Sequence, residues 1–209
     1  MPREPGVKRA MAFVDGQNLF HAAREAFGHR YPNFDPVALA RSVCLTCGWE
    51  LELVSFYTGM PDPADDPFWN HFWSARVAYL GAHGVRTFTR PLRYRVQEVR
   101  PADTSVVVAR IAQEKGIDVR LALDVVRYAR DGHYDVGLVF SQDQDLAEAA
   151  DEVRRIARQQ DRWIKVACAF PLGPGSRNRR GINHTDWIPI EHATYDACLD
   201  PRDYRPRRG

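Results

Sequence analysis

Four aspartates stand in three short polar motifs: Asp15 in DGQN, Asp118 in KGID, and Asp143 and Asp145 in SQDQDL. Carboxylates brought close together repel one another, and a stable protein seldom gathers four without a cation to neutralise them. The cation that suits them is hard. Mg²⁺ and Mn²⁺ prefer carboxylate and water oxygens, and Mg²⁺ typically takes one or two carboxylates while keeping waters for substrate phosphates. The chemistry open to such a set is attack by a metal-activated water on a phosphodiester. No Ser/His/Asp arrangement competes, and no phosphate loop such as G-x-G-x-x-G or G-x-x-x-x-G-K follows a strand. No close His/Cys set offers a softer metal site. Cys44 and Cys47 spell C-x-x-C inside a helical pattern, Cys168 and Cys198 are 30 residues apart, and structural zinc normally takes two closely spaced ligand pairs.

These aspartates converge only if the elements around them meet at one edge. Val136 to Phe140 is a continuous apolar run, which suits a parallel strand buried on both faces, and SQDQDL follows it directly. Residues 10–14 form another such run, and DGQN then turns into a helix over 16–27 with Leu19, Phe20, Ala23 and Phe27 on one face. Val119, Ala122, Leu123, Val126 and Ala129 recur at helical spacing, so Asp118 stands at a helix start and Gly132 at its end. Helices are also expected over 34–48, with Asp35 as N-cap and Pro36 first, over 69–83 and over 146–160. Further strands fall at 51–57, 85–89 and 164–170, and 187–190 reads as an edge strand that tolerates Pro189. Alternation of this kind implies a parallel sheet with right-handed crossovers, in which ligands bind outside the carboxyl ends of the strands. Tyr94, Val96 and Val99, then Val106, Val108 and Ile111, read as the arms of an inserted basic hairpin; a helix over 104–114 is the competing reading.

Composition bounds the rest. With 209 residues, 44% hydrophobic and 27% charged, the chain is ordinary globular stock for one domain. Its longest apolar runs fall far short of the roughly 20 residues that span a bilayer. The apolar stretch after Arg3, Lys8 and Arg9 is broken at Asp15, too early for a signal peptide, which predicts a cytoplasmic protein. Four scattered cysteines point to reduced thiols rather than a disulfide framework. From Arg154 onward 12 Lys or Arg stand against 6 Asp or Glu, so in a chain of net charge +2 the first 153 residues are net acidic. Either a solvated surface or a phosphate-binding flank accounts for that asymmetry. The expected organisation is an N-terminal arm over 1–8, the α/β domain over 9–172, and over 173–209 a flexible basic loop (GPGSRNRRG), the edge segment and a disordered tail (PRDYRPRRG). Trp69, Phe72 and Trp73 read as core rather than as a base-stacking platform.

DGQN, KGID and SQDQDL, in that order, resemble the three motifs of the NYN domain, a branch of the PIN-like nuclease fold; the resemblance spans roughly residues 9–170. It implies a three-layer α/β/α sandwich and metal-dependent cleavage of RNA by an endoribonuclease. Asp15, Asp118, Asp143 and Asp145 would be the catalytic, metal-binding set, with Asn18 orienting Asp15 and a 3′-hydroxyl and 5′-phosphate as products. Gln142 stands where the family usually has Gly, and Leu146 where it usually has Phe; neither change removes a carboxylate. Asp124, Lys115 and Ser141 form a second tier, and six residues of helix rotate Asp124 about 240° from Asp118. Arg90, Arg93, Arg95, Arg177, Arg179 and Arg180 are the expected contacts to the phosphates of RNA, single-stranded by preference, made without reading sequence. A homodimer or protein partner is left open. Two other classes fit the same residues: an RNA-binding or scaffold module with weak turnover, and a phosphatase or DNA nuclease.

Overall fold

Water reaches almost none of the side chains from Ala10 to Val14, and burial of that run on both faces sets the architecture. In the computed structural model, which describes residues 2–99, 107–113 and 115–206, the run lies in β1 (Lys8–Asp15). β2 (Trp49–Met60) pairs with it on one side and β6 (Val136–Phe140) on the other. Outward from these lie β3 (Arg86–Pro91), β7 (Lys165–Pro171) and the edge strand β8 (Asp186–Ile190). The sheet order is β3-β2-β1-β6-β7-β8, with every pairing parallel.

Strand periodicity divides the core into two layers. Ala10, Ala12 and Val14 pack with Leu19, Leu39 and Phe72, whereas Met11 and Phe13 pack with Leu121, Val125, Val153 and Ile156. The first layer lies under α1 (Gly16–Phe27), α2 (Pro36–Cys47) and α3 (Pro67–Ala82); the second lies under α4 (Ile117–Arg130) and α5 (Ala147–Gln159). The result is the expected three-layer α/β/α sandwich with a parallel centre. Local chemistry sets the helix ends: Asp35 accepts from Val37 N at 2.8 Å and Ala38 N at 3.0 Å, Pro36 opens α2, and Gly48 closes it at φ 68°. A short α6 (His192–Asp196) adds Tyr195 to the first layer. β4 (Arg93–Val99) and β5 (Val107–Gln113) form a separate antiparallel pair, so 107–113 is strand rather than the competing helix. The tip of the expected hairpin, with Arg100 and Val106, lies outside the described residues.

Three expectations change. The inward face of α4 is carried by Ile117, Leu121, Val125, Tyr128 and Ala129, with Ala122 and Val126 partly buried against the same layer, while Val119 and Leu123 are 57% and 61% exposed. Ala122, Val126 and Ala129 of the expected stripe thus face the core, and Val119 and Leu123 give way to Leu121 and Val125, two residues or about 200° around the axis from them. The 173–181 loop is docked rather than free: a Cβ at Gly173 would fall 2.5 Å from the Ala26 carbonyl oxygen, and the backbone N–H of Arg177 donates to Glu25. Glycine lets the two backbones approach.

The tail also packs. Tyr204 is buried against Phe72 and Tyr79, at ring distances of 5.9 and 6.1 Å, and its hydroxyl donates to Asp200 at 2.6 Å. It helps to cover Arg76, which is 1% exposed and lies within 6.0 Å of the rings of Phe34, Phe56, Trp73 and Tyr204. Removing a buried aromatic ring costs about 3 kcal/mol or more. Tyr204→Ala should therefore lower unfolding free energy by about that amount in urea titrations; a loss under about 0.5 kcal/mol would mean that the tail is only loosely attached.

Candidate active site

Asp15 ends β1 and starts α1 in one step. Its extended backbone (φ −77°, ψ 102°) aims one carboxylate oxygen at Asn18 N, 3.0 Å away, as an N-cap. Gly16 follows because a Cβ there would fall 2.5 Å from the Phe56 ring. The other Asp15 oxygen accepts from the Ser141 hydroxyl at 3.4 Å, and the same hydroxyl accepts from Asp143 N at 3.2 Å. Asp143 in turn accepts from Asp145 N at 3.0 Å and caps the 3₁₀ turn Gln144–Leu146 that leads into α5. The Asn18 side-chain oxygen accepts from Gln142 N at 2.9 Å. DGQN and SQDQDL are thus tied together across more than a hundred residues of chain.

Asp118, in the first turn of α4, completes the edge. One oxygen each of Asp118, Asp143 and Asp145 lie within 4.8 Å of one another. Among the described residues no Lys or Arg forms an ion pair with these three or with Asp15. Asp15 stands deeper, 5% exposed. Burial pushes its pKa up to about 6, the charges of Asp143 and Asp118 push the same way, and hydrogen bonds from Asn18 N–H and Ser141 hold it back. An all-oxygen set with no basic partner fits a hard divalent cation. Asp118, Asp143 and Asp145 are the residues that could hold it.

The remaining residues singled out by sequence divide. Ser141 is buried at the centre of the network, and Lys115 is exposed on the loop before α4. Asp124 is turned away from the trio, as its helical phase required: it accepts from Tyr57 Oη at 3.0 Å and Arg120 Nε at 2.9 Å, and Arg127 lies 3.2 Å away. Arg90 lies over the Phe88 ring and against the KGID turn, where a Cβ on Gly116 would fall 2.6 Å from its guanidinium. Arg93 is exposed at the start of β4; the side chain of Arg95 lies outside the described residues.

Arg177, Arg179 and Arg180 are exposed on the docked loop. Gln142 and Gln144 hold that loop beside the aspartates. Gln142 Nε2 donates to the carbonyls of Asn178 (3.3 Å) and Arg180 (2.8 Å), and Gln144 donates to Gly181 O at 3.0 Å and accepts from Asn183 N at 3.1 Å. Sequence reasoning assigned neither glutamine a role; the one signal was that Gln142 replaces the family's usual Gly.

Beside the N-terminal half of α1 opens a cleft of about 540 Å³ lined by Gln17, Phe20, His21, Arg24, Trp69 and Tyr94, among others. Trp73 and Phe72 are core, as expected, but Trp69 is only half-buried and presents a ring to this cleft. Gln17 donates to Gly59 O at 3.3 Å, so the cleft begins in DGQN itself.

Residues 9–160 match the NYN domain, and the chain belongs to that family. NYN domains are PIN-like and typically nucleases, which with the acidic edge supports a nuclease-like role. Among solved structures, the chain is similar to a Vibrio parahaemolyticus protein of unknown function, with 19% identity, a TM-score of 0.54, and 88% of this chain and 94% of that one covered; that likeness is one of fold. Weaker likenesses reach MurG of Acinetobacter baumannii (11% identity, TM-score 0.32, 87% and 45% covered) and a deacetylase solved with teicoplanin (13%, 0.33, 76% and 68%). No curated protein matches.

Asp15 generates a prediction with a definite sign. Its folded pKa lies above its ordinary 3.8, so the folded protein holds that proton more tightly than the unfolded chain. The resulting stability is complete below about pH 3.8 and lost as pH rises through about 6, a change on the order of 3 kcal/mol. Asn keeps the cap without the charge. In EDTA, Asp15→Asn should therefore melt above the wild type at pH 8 and lose that advantage near pH 4. An equal difference at both pH values would refute the electrostatic account.

Proposed function

We propose that the chain is a metal-dependent endoribonuclease that cuts single-stranded RNA, with Mg²⁺ or Mn²⁺ as cofactor. The observation that carries this reading is the trio Asp118, Asp143 and Asp145, within 4.8 Å of one another and unpaired with any described cation, at the start of α4 and just past the end of β6 in a chain of the NYN family. The trio would hold the ion directly, Asp15 would supply negative charge behind it, and Asn18 and Ser141 would fix the geometry of both motifs. When bound, such an ion supplies an activated water and offsets charge on the scissile phosphate, which leaves a 3′-hydroxyl and a 5′-phosphate.

The protein's own cations do the positioning. Arg90 lies against the KGID turn, and Arg177, Arg179 and Arg180 stand on the loop held by Gln142 and Gln144; with Arg93 and Arg95 they are the cations we assign to the RNA path. They hold backbone phosphates without reading sequence. His21 and Arg24 lie five and eight residues along α1 from Gly16, roughly 7–12 Å at 1.5 Å per residue. That is one or two nucleotide steps from the site, and an unpaired base can stack on Trp69 there where a duplex cannot offer one. Four free cysteines suit the reducing cytoplasm, where we place the protein. No helix among the described residues is long and apolar enough to cross a membrane.

Cleavage of a labelled single-stranded RNA should require Mn²⁺ or Mg²⁺, stop in EDTA, and fall by about 100-fold or more in Asp143→Asn. Equal cleavage with and without EDTA would end the metal reading. RNA bound but never cut, at any metal concentration, would favour the binding-module alternative.

Binding in EDTA should weaken with added salt. Neutralising Arg90, Arg93, Arg177, Arg179 and Arg180 should flatten the slope of log K against log salt, by about 0.7 for each single-strand phosphate that the variant no longer neutralises. An unchanged slope would show that the RNA runs elsewhere.

A further inference from the structure

A second convergence of ligating side chains lies away from the acidic edge. His29 follows Gly28, the left-handed residue (φ 82°) that ends α1; His192 opens α6, and Asp196 stands one helical turn later. His29 Nε2 is 3.0 Å from one Asp196 oxygen and His192 Nε2 is 3.3 Å from the other. Ligand atoms of all three lie within 4.8 Å of one another. Among the described residues this is the only such group besides the aspartate trio, and neither contains a cysteine. The expectation that no close histidine set exists therefore does not hold.

We propose that His29, His192 and Asp196 bind a borderline divalent cation of the zinc class, at a site independent of the carboxylate edge. Zn–N and Zn–O bonds of about 2.0–2.2 Å in a tetrahedral field put neighbouring donor atoms roughly 3.3 Å apart. The two His–Asp196 spacings already stand near that value. Imidazole nitrogens suit zinc, whereas Mg²⁺ keeps to oxygen, so the two sites divide the metals by chemistry.

The imidazoles are held by packing as well as by Asp196. His192 stacks on Phe27 at 4.7 Å with 7° between planes, and His29 lies against Tyr195 at 5.0 Å. An exposed His–Asp pair alone contributes little; two rings braced by separate aromatic neighbours and aimed at opposite oxygens of one carboxylate form a chelate. Asp196 and His192 are exposed, which leaves the remaining coordination positions to water.

The ion would fasten two stretches of chain that already touch. Asp35 N donates to Cys198 O at 2.7 Å and Asp200 N to Asn33 O at 2.6 Å. The site is thus a clamp on the C-terminal segment that carries Tyr204.

The test is calorimetric titration of ZnCl₂ into the full chain, with millimolar Mg²⁺ present to compete at the carboxylate edge. The expected result is one Zn²⁺ per chain at micromolar Kd, weakened by about tenfold or more in His29→Ala and in His192→Ala and unchanged in Asp143→Asn. Zn²⁺ should raise the melting temperature of the wild type by several degrees and that of His192→Ala by much less. Unaltered affinity in both histidine variants, loss of binding in Asp143→Asn, or no binding tighter than about 1 mM would overturn the site. Co²⁺ bound to the wild type provides a check that needs no variant. Visible bands of tetrahedral or five-coordinate intensity support the proposal, and a weak all-oxygen octahedral spectrum contradicts it.

Discussion

The acidic edge depends on a contradiction held at Asp15. The carboxylate must be present to cap α1 and to accept from Ser141, yet it is buried beside Asp118 and Asp143, where its charge is penalised. Each neighbouring contact follows from how that conflict is contained. Ser141 passes the arrangement to Asp143 and so to Asp145; Asn18 passes it to Gln142 and so to the arginine loop. One buried carboxylate thereby sets the positions of the aspartates that could hold a cation and of the basic residues beside them.

Arg76 is the opposite case, a buried cation rather than a buried anion. One of its N–H groups reaches Phe34 O, its Nε and Nη1 have no hydrogen-bond partner among the described residues, and burial lowers its pKa to about 10. Four aromatic faces stand where a carboxylate might, and cation–π attraction strengthens as water is removed. A full counter-ion would need its own desolvation, which can exceed the Coulomb gain. The rings avoid that cost, and because Tyr204 is one of them, the C-terminal segment becomes part of the core.

Much of this was legible in order along the chain because its causes are local. A five-residue apolar run followed by SQDQDL locates a strand end and two carboxylates, and Asp35-Pro36 announces a helix start, with no knowledge of partners. The α4 stripe holds at Ala122, Val126 and Ala129 but not at Val119 and Leu123, for an equally physical reason: those two share helical spacing with each other as well as Leu121 and Val125 do, and only the sheet decides which pair is buried. Gln142, Gln144, Tyr204 and the His29–His192–Asp196 group were illegible because each role is defined by a residue at least 30 positions away. Two stretches read as free from composition, GPGSRNRRG and the tail as far as Tyr204, are held by contacts of that kind. The acidic set was read from strand ends and motif resemblance and the arginines from their charge; the convergence of Asp118, Asp143 and Asp145 is compatible with a cation site.

The strand order carries a consequence for the newborn chain. β1 leaves the ribosome well before its partner β6 and the motif after it, which follow about 126 residues later, the separation of Asp15 from Ser141. At elongation rates of about 5–20 residues per second that interval is on the order of ten seconds. For most of it Asp15 stands alone, since Asp118 follows only 103 residues after it, and Asp143, Asp145 and the loop bearing Arg177 to Arg180 have not yet been synthesised. An acidic edge assembled from segments this far apart is therefore absent while β1 waits beside ribosomal and messenger RNA, and comes into being only once residues 141–145 have been made.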